Sequence, residues 1–402
     1  MGDDWEDTPN RLMPFVGKDA AGKEDKVWLP GTWAPSLVNG SLQMLHYNFD
    51  ESAYTAQLVG EPEPDSILVK RVEDGEVAKR EAKISQRLTT FAGMGYNDAR
   101  GHIVSHYDME THPEATFVLS EAISDDLNAT PSLAQVLREK HEVLIPGISA
   151  RFYSSLYARH GQRMGLVPAL PLFIDILRGL SFLDDAGICH SGFSPSSVLL
   201  KDGRAVIGKL GQMCFVFDDT DPSLACANCL LTPEGKTSVS VSALLQAPEL
   251  EDGCPMGASD HSWTAGLIYA MMRFGYNPTT RIVAGHFDDW TTMVMHDATA
   301  DGRAGIRKII AGGFDIRLDP SYSNVGRGEQ ELLRSMLNMD PAERWSVKKA
   351  LEKALSMAEE RKLAVAPARR APGAPMGAQE AAVVIDTSVG DTSVGDISDA
   401  WQ

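Results

Sequence analysis

Scarcity bounds this chain before any motif is read. Only 5 of its 402 residues are cysteine. That is too few for a disulfide scaffold at this length, so thiols in a reducing compartment are the default and a cytoplasmic location is expected. Basic residues are outnumbered: 37 Lys and Arg stand against 55 Asp and Glu, a formal net charge of −18. Nucleic acid and anionic membrane surfaces are bound through stripes of Lys and Arg, so neither is an expected partner. No run of about 20 apolar residues is read in the sequence, which predicts no transmembrane helix and no membrane insertion. The opening MGDDWEDTPN lacks the basic and apolar regions of a signal peptide. Glu6 stands where a myristoylation motif after Gly2 requires Ser or Thr. The 10 histidines are scattered and form no HExxH pair, which excludes that zinc-hydrolase motif.

What is present is a core. An apolar share of 43% with 7% aromatics fits a globular protein with a sizeable interior. Residues 1–35 are polar, broken by Gly and Pro, and read as an irregular arm. From 36 to 122 the texture is mostly strand. SLQMLHYNF and AYTAQLV pair as a hairpin, and EPEPDS is a turn. ILVKRV is an apolar strand carrying Lys70. GEVAKREAKISQRLTTF has helical spacing, with Val77, Ile84 and Leu88 near one face. HIVSHYDM and ATFVLSEA are two further strands.

From 123 to 364 the pattern is helical. SLAQVLREKHEVL follows Thr130 and Pro131, residues that suit a helix start. LPLFIDILRGLSFLDDAG is an apolar helix stopped by Gly187, and SWTAGLIYAMMRFG is apolar nearly all round, hence buried. GEQELLRSMLNM and SVKKALEKALSMAEERK are amphipathic helices. The tail 365–402 is rich in Ala, Pro and Gly, and repeats DTSVG twice. It cannot bury a core, so disorder is expected, with a docking motif ending on Trp401 as the alternative.

The order of motifs over roughly 36–360 resembles the eukaryotic protein kinase fold. ILVKRV looks like the strand bearing the ATP-anchoring lysine, Lys70, and Glu81 sits where the partner helix offers its glutamate. Glu76 is the alternative partner. FVLSEAI looks like the last strand and hinge, with Ser120 as gatekeeper and Glu121 to Ile123 in the hinge. GICHSGFSPSSVLL is similar to the catalytic loop usually ending HRDLKPxNxLL, and KLGQM lies where KxxDFG is expected. QAPEL, SDHSWTAG and LNMDPAERWS complete the series. The resemblance implies an α+β, bilobal fold with a small β-rich N-lobe carrying one helix and a larger α-helical C-lobe.

It also shows what is missing. Kinases need an aspartate at the substrate hydroxyl; Gly192 stands there. Ser194 replaces the lysine that steadies the phosphate, and Ser197 replaces the asparagine that helps to hold a magnesium ion. Gln212 replaces the DFG aspartate, and a neutral amide is a poor Mg²⁺ ligand. Between Thr32 and Val59 the only glycine is Gly40, and Gly60 stands alone, so no glycine-rich phosphate loop precedes Lys70. The residues that support the fold survive. Glu249 and Arg344 match a buried ion pair, Asp260 a helix residue that caps the loop backbone, and His190 the histidine that packs the loop.

The expectation is therefore a catalytically inactive pseudokinase that acts as a scaffold or allosteric regulator. Its partners would be proteins, such as an active kinase or a multiprotein assembly. No catalytic residue, metal or obligatory cofactor is expected. A nucleotide pocket of Lys70, Glu81, Glu121 and Ile123, binding ATP without magnesium, is an alternative. An atypical transferase using the cleft differently is another, with Asp218, Asp219 and Asp221 as displaced metal ligands. Cys226 and Cys229 form a CANC that, with Cys214, Cys254 or His261, has zinc-ligand character. Without a second CxxC they read as free thiols. The basic and aromatic 150–165 stretch and the long connection 284–326 are the candidate interfaces.

Overall fold

The computed structural model describes residues 12–18, 24–30, 42–48, 53–58, 67–72, 75–91, 101–111, 115–123, 132–137, 163–216, 242–250, 258–288, 290–297, 299–363 and 365. It is a mixed α and β structure in which strands dominate the first third and helices the rest.

Two strands lie within the stretch read as irregular. β1 (Leu12–Lys18) and β2 (Glu24–Pro30) pair antiparallel over seven residues each, from Leu12 opposite Pro30 to Lys18 opposite Glu24. That corrects the irregular arm. The charged ends GKDAAGKED obscured the short apolar runs LMPFV and VWLP on either side.

The five-stranded sheet follows as expected. β3 (Leu42–Asn48) and β4 (Ala53–Leu58) form the hairpin, with a register shift between Met44 and His46. β5 (Ile67–Val72) lies between β4 and β7 (Thr116–Glu121), and β6 (His106–Thr111) closes the far edge, all pairs antiparallel. β5 takes the centre because its apolar, β-branched residues tolerate neighbours on both sides; Val69 and Val72 are buried. Between β5 and β6, α1 (Gly75–Phe91) buries Ile84 and Leu88, four residues apart on one face, against the interior. The side chain of Val77 lies outside the described residues.

The helix expected over 132–144 is described only as a turn, α2 (Leu133–Val136). α3 (Leu166–Asp185) is 20 residues long. By length and composition it is apolar enough to cross a membrane, which corrects the expectation that no such stretch exists; 67% of that span is buried inside the fold. Its apolarity is that of a core helix. Phe173 stacks on Tyr269 at 4.3 Å, and Asp175 in mid-helix is buried. Gly187 ends the run with φ +70°, a conformation that costs glycine nothing.

Four short strands follow that sequence periodicity did not reveal. β8 (Ile188–His190) pairs with β11 (Met213–Phe215), and β9 (Val198–Lys201) pairs with β10 (Arg204–Ile207). Strands this short carry no readable alternation. α4 (Ala258–Phe274) is buried nearly all round, as its composition requires, with Trp263 at 0% exposure. α5 (Pro278–Ala284) is capped by Asn277, whose side chain accepts from Thr279 N at 3.1 Å. The connection 284–326, read as an insertion, is mostly helical: α6 (Trp290–Asp297) and α7 (Ala300–Gly313), then two 3₁₀ turns. α8 (Arg327–Met336) and α9 (Val347–Glu360) close the described fold, the latter capped by Ser346 onto Lys349 N. The tail from 366 lies outside the described residues.

α3 is tied to β10 through a buried carboxylate. Asp175 accepts from Arg204 Nε at 2.8 Å and Nη2 at 3.0 Å, and from Ala205 N at 3.3 Å. Beside it the strand segment leading into β6 crosses over. Ile207 N donates to His102 O at 2.8 Å, and Val104 N to Ile207 O at 2.9 Å. These bonds clamp the sheet side to β10 and α3.

Candidate functional site

The candidate site lies where β5 and α1 meet the turns between β8 and β11. Lys70 projects from the central strand, and its Nζ donates to Glu81 Oε1 at 3.2 Å. Glu81 is thus the partner, and the alternative at Glu76 is not needed. The lysine side chain is 44% exposed and the glutamate 6%. Glu81 also presses on the turn below: a Cβ added to Gly211 would lie 2.1 Å from its Oε1. A side chain at 211 would have to push that carboxylate aside, so α1 is seated on the loop as well as on the strand.

The next residue decides the chemistry. Gln212 folds over Gly192, where an added Cβ would lie 2.3 Å from Oε1 and 2.7 Å from Cδ of the glutamine. The two replacements are complementary. Gln212 occupies the space of a side chain that Gly192 does not have. Its Oε1 is buried with no hydrogen-bond partner among the described residues, a cost of about 1–3 kcal/mol. The amide therefore fills this place without being neatly satisfied there.

Ser197 Oγ donates to Gly192 O at 3.1 Å, and Ser194 Oγ lies 2.9 Å from Ser196 Oγ. Lys209 Nζ donates to Ser196 Oγ at 2.8 Å. Sequence reasoning missed Lys209 because its neighbour across space is 13 residues away.

The loop is anchored by histidines. His190 Nε2 donates to Gly208 O at 3.0 Å, as a packing residue should. Complete burial pushes its pKa down to about 3, with the neighbouring His261 adding to the shift. A backbone cap is expected at Asp260, and at His190 N it is the next residue that makes one. The acceptor for His190 N is His261 Nε2, at 2.9 Å, one residue further on. An accepting Nε2 leaves the proton on Nδ1, which donates to Asp184 Oδ1 at 2.6 Å. This Asp–His pair has the look of a catalytic dyad, but both ring nitrogens are engaged, so it orients the loop and offers no base. Asp260 is buried one position earlier on α4.

The Glu121 side chain is engaged within the fold. Glu121 is 3% exposed; its Oε1 accepts from Lys201 Nζ at 3.0 Å and its Oε2 from Ser105 N at 3.3 Å. Its carboxylate joins β7 to β9. Ile123 is half-buried just beyond it. Ser120 lies in β7 opposite Leu68 and His106.

The predicted supporting ion pair is present. Arg344 Nη1 reaches Glu249 Oε1 at 2.5 Å and Nη2 reaches Oε2 at 3.0 Å, while the guanidinium lies 5.0 Å from the Trp263 ring centre.

No group of three His, Cys, Asp or Glu able to hold a metal occurs among the described residues. Cys214 is disulfide-bonded, a departure from a chain of thiols only. Cys226, Cys229, Cys254, Asp218, Asp219 and Asp221 lie outside the described residues. So does 150–162. The end of that stretch is tied down, Arg163 Nε to Phe274 O at 3.0 Å and Met164 N to Met272 O at 2.7 Å.

No protein-family model matches the chain. It is similar to "Serine/threonine-protein kinase 16" of Rattus norvegicus, with 24% identity over 182 residues, 44% of this chain and 51% of that protein. The same identity and coverage hold for the protein of that name from Mus musculus. The chain thus spans about half the length of the curated relatives it matches, and its relationship to kinases is distant.

Proposed function

We propose that this chain is a bilobal kinase-like protein, with an N-lobe over 36–122 and a C-lobe over 123–364, that does not transfer phosphate. It works as a scaffold or allosteric regulator of a protein partner, in the cytoplasm. The observation that carries this reading is the packing of Gln212 onto Gly192. Phosphoryl transfer needs a carboxylate to orient the attacking hydroxyl and another to hold the metal. At these two positions there is no side chain and a neutral amide, and each fits the other. The ties from Glu249, His190 and His261 to their partners support a retained scaffold.

The names of the relatives favour transfer, and the Lys70–Glu81 pair favours a nucleotide at the candidate site. A nucleotide-binding sensor without turnover is therefore the second reading. An assay with radiolabelled ATP, with Mg²⁺ or Mn²⁺ and a general protein substrate, separates the readings. The native chain is expected to transfer no label; metal-dependent transfer lost in Lys70→Met overturns the proposal. The same packing makes a mutational prediction. Gly192→Asp alone is expected to lower the thermal midpoint, because the new side chain must displace the Gln212 amide. Adding Gln212→Asp should relieve that clash only in buffer containing Mg²⁺, which offsets the repulsion between the two carboxylates. Equal midpoints for native chain and Gly192→Asp would show that the two positions are not coupled.

A further inference from the structure

We propose that Lys209 and the serine hydroxyls beside it form an oxyanion site, one that holds a phosphate group of a ligand without a metal ion. The inference rests on reading the candidate site as a kinase-like cleft. It goes beyond that reading by naming the ligand chemistry and the group that meets it.

The donors are contiguous. Lys209 Nζ reaches Ser196 Oγ at 2.8 Å; Ser196 Oγ lies 2.9 Å from Ser194 Oγ, and that hydroxyl lies 3.4 Å from Ser197 Oγ. Ser194 and Ser197 are buried, Ser196 is half-buried and Lys209 is exposed. The set therefore runs from the loop interior to an ammonium at its mouth. Hydroxyl hydrogens rotate, so Ser194 and Ser196, which now bond to each other, can turn to donate to an arriving oxygen. An ammonium and two hydroxyls suit a phosphate, whose oxygens accept charge-assisted hydrogen bonds.

The turn that carries Lys209 is specifically shaped. Lys209 adopts φ 60° and ψ 52°, a left-handed conformation uncommon for lysine. Gln212 N closes the turn onto Lys209 O at 2.9 Å. The position also answers the losses in the loop. Ser194 stands where the resemblance expects a phosphate-steadying lysine, and Ser197 where it expects a metal-holding asparagine. Lys209 brings a cation back to these two residues from the next turn. Among the described residues no group of three His, Cys, Asp or Glu could hold a metal here, so the ammonium is the charge that meets the phosphate.

The test is calorimetric titration of the full chain with ATP in EDTA, with unliganded thermal midpoints confirming that each variant folds. The native chain is expected to bind. Lys209→Met should weaken binding roughly 10- to 100-fold, the effect of losing one charged hydrogen bond. Lys209→Arg should retain most of it, and Ser196→Ala should fall between. Competition by inorganic tripolyphosphate supports recognition through the phosphate, whereas competition by adenosine alone overturns it. No binding in EDTA, binding that requires Mg²⁺, or binding unchanged by Lys209→Met each overturns the site. None of these readouts depends on label transfer, so this site and the non-transferring reading fail separately.

Discussion

Replacing Glu249 by alanine is expected to lower the unfolding free energy by about 3–5 kcal/mol, the cost of breaking a buried ion pair by removing one partner. The asymmetry of the pair makes the prediction sharp. The Arg344 side chain is fully buried, whereas that of Glu249 is 29% exposed. Without Glu249, the buried guanidinium loses its carboxylate while keeping Asn338 O at 3.0 Å and the Trp263 face beside it. Without Arg344, Glu249 can be hydrated where it stands. Arg344→Met should therefore cost less, about 2–3 kcal/mol, close to the loss of charged hydrogen bonds alone. Urea denaturation of both single variants and the double variant measures this. If Arg344→Met is the more damaging substitution, the burial argument is wrong. The pair matters to function because it fixes the stretch that follows residues 217–241. Around it, Ala243 N donates to Asp297 Oδ1 at 2.9 Å, and Asn277 Nδ2 and Thr279 Oγ1 both donate to Leu244 O.

Acid should unfold this protein through two histidines. Burial lowers the pKa of His102 to about 4 and that of His190 to about 3, from an ordinary value of 6.5. Above pH 6.5 both are neutral folded or unfolded, and stability is at its full value. As pH falls below 6.5 the unfolded chain takes up two protons that the folded chain refuses. Stability is then lost at about 1.4 kcal/mol per pH unit for each histidine, until the folded values near 4 and 3 are passed. Between pH 6 and 4 the two together remove about 4–5 kcal/mol, a large part of the 5–15 kcal/mol typical of a folded domain.

His102 can be isolated from the other acid-sensitive groups. Neither of its ring nitrogens has a hydrogen-bond partner among the described residues, although Nδ1 lies 3.5 Å from Asp175 Oδ1. His102→Phe should therefore leave stability at pH 7.5 close to native while cutting the acid slope by about one proton. Denaturant midpoints at half-unit pH steps give both slopes. An unchanged slope in His102→Phe would show that this ring is not the titrating group.

Much of the fold was legible because local rules and tertiary demands agreed. ILVKRV became the central strand at its expected ends, and GEVAKREAKISQRLTTF became a helix with Ile84 and Leu88 inward. Where they disagreed, reading failed. The strands at 188–215 are three or four residues long and held by partners far along the chain, so no periodicity announces them. α7 begins at Thr299, whose hydroxyl accepts from Gly302 N, and its glycine-rich ADGRAGIRKIIAGG hides an ordinary capped helix. The sequence shows α3 as an apolar helix, but not that its mid-helix Asp175 is neutralised by Arg204 in space.

Within the candidate site, sequence alone determined which chemical groups are absent. Gly192 and Gln212 are not carboxylates in any fold, and that follows from their identity. The resemblance offered Lys70 a partner at Glu81 or Glu76, and the structure settles on Glu81. Only the tertiary structure decided the rest. It set Gln212 onto Gly192, gave the cap at His190 N to His261, turned Glu121 toward Lys201, and carried Lys209 back to Ser196. The physical reason is common to all four. Each depends on where a side chain's last polar atom comes to rest, and that is set by packing between segments distant in sequence. A pattern of residue types along the chain records which groups exist; it does not record the distances between them.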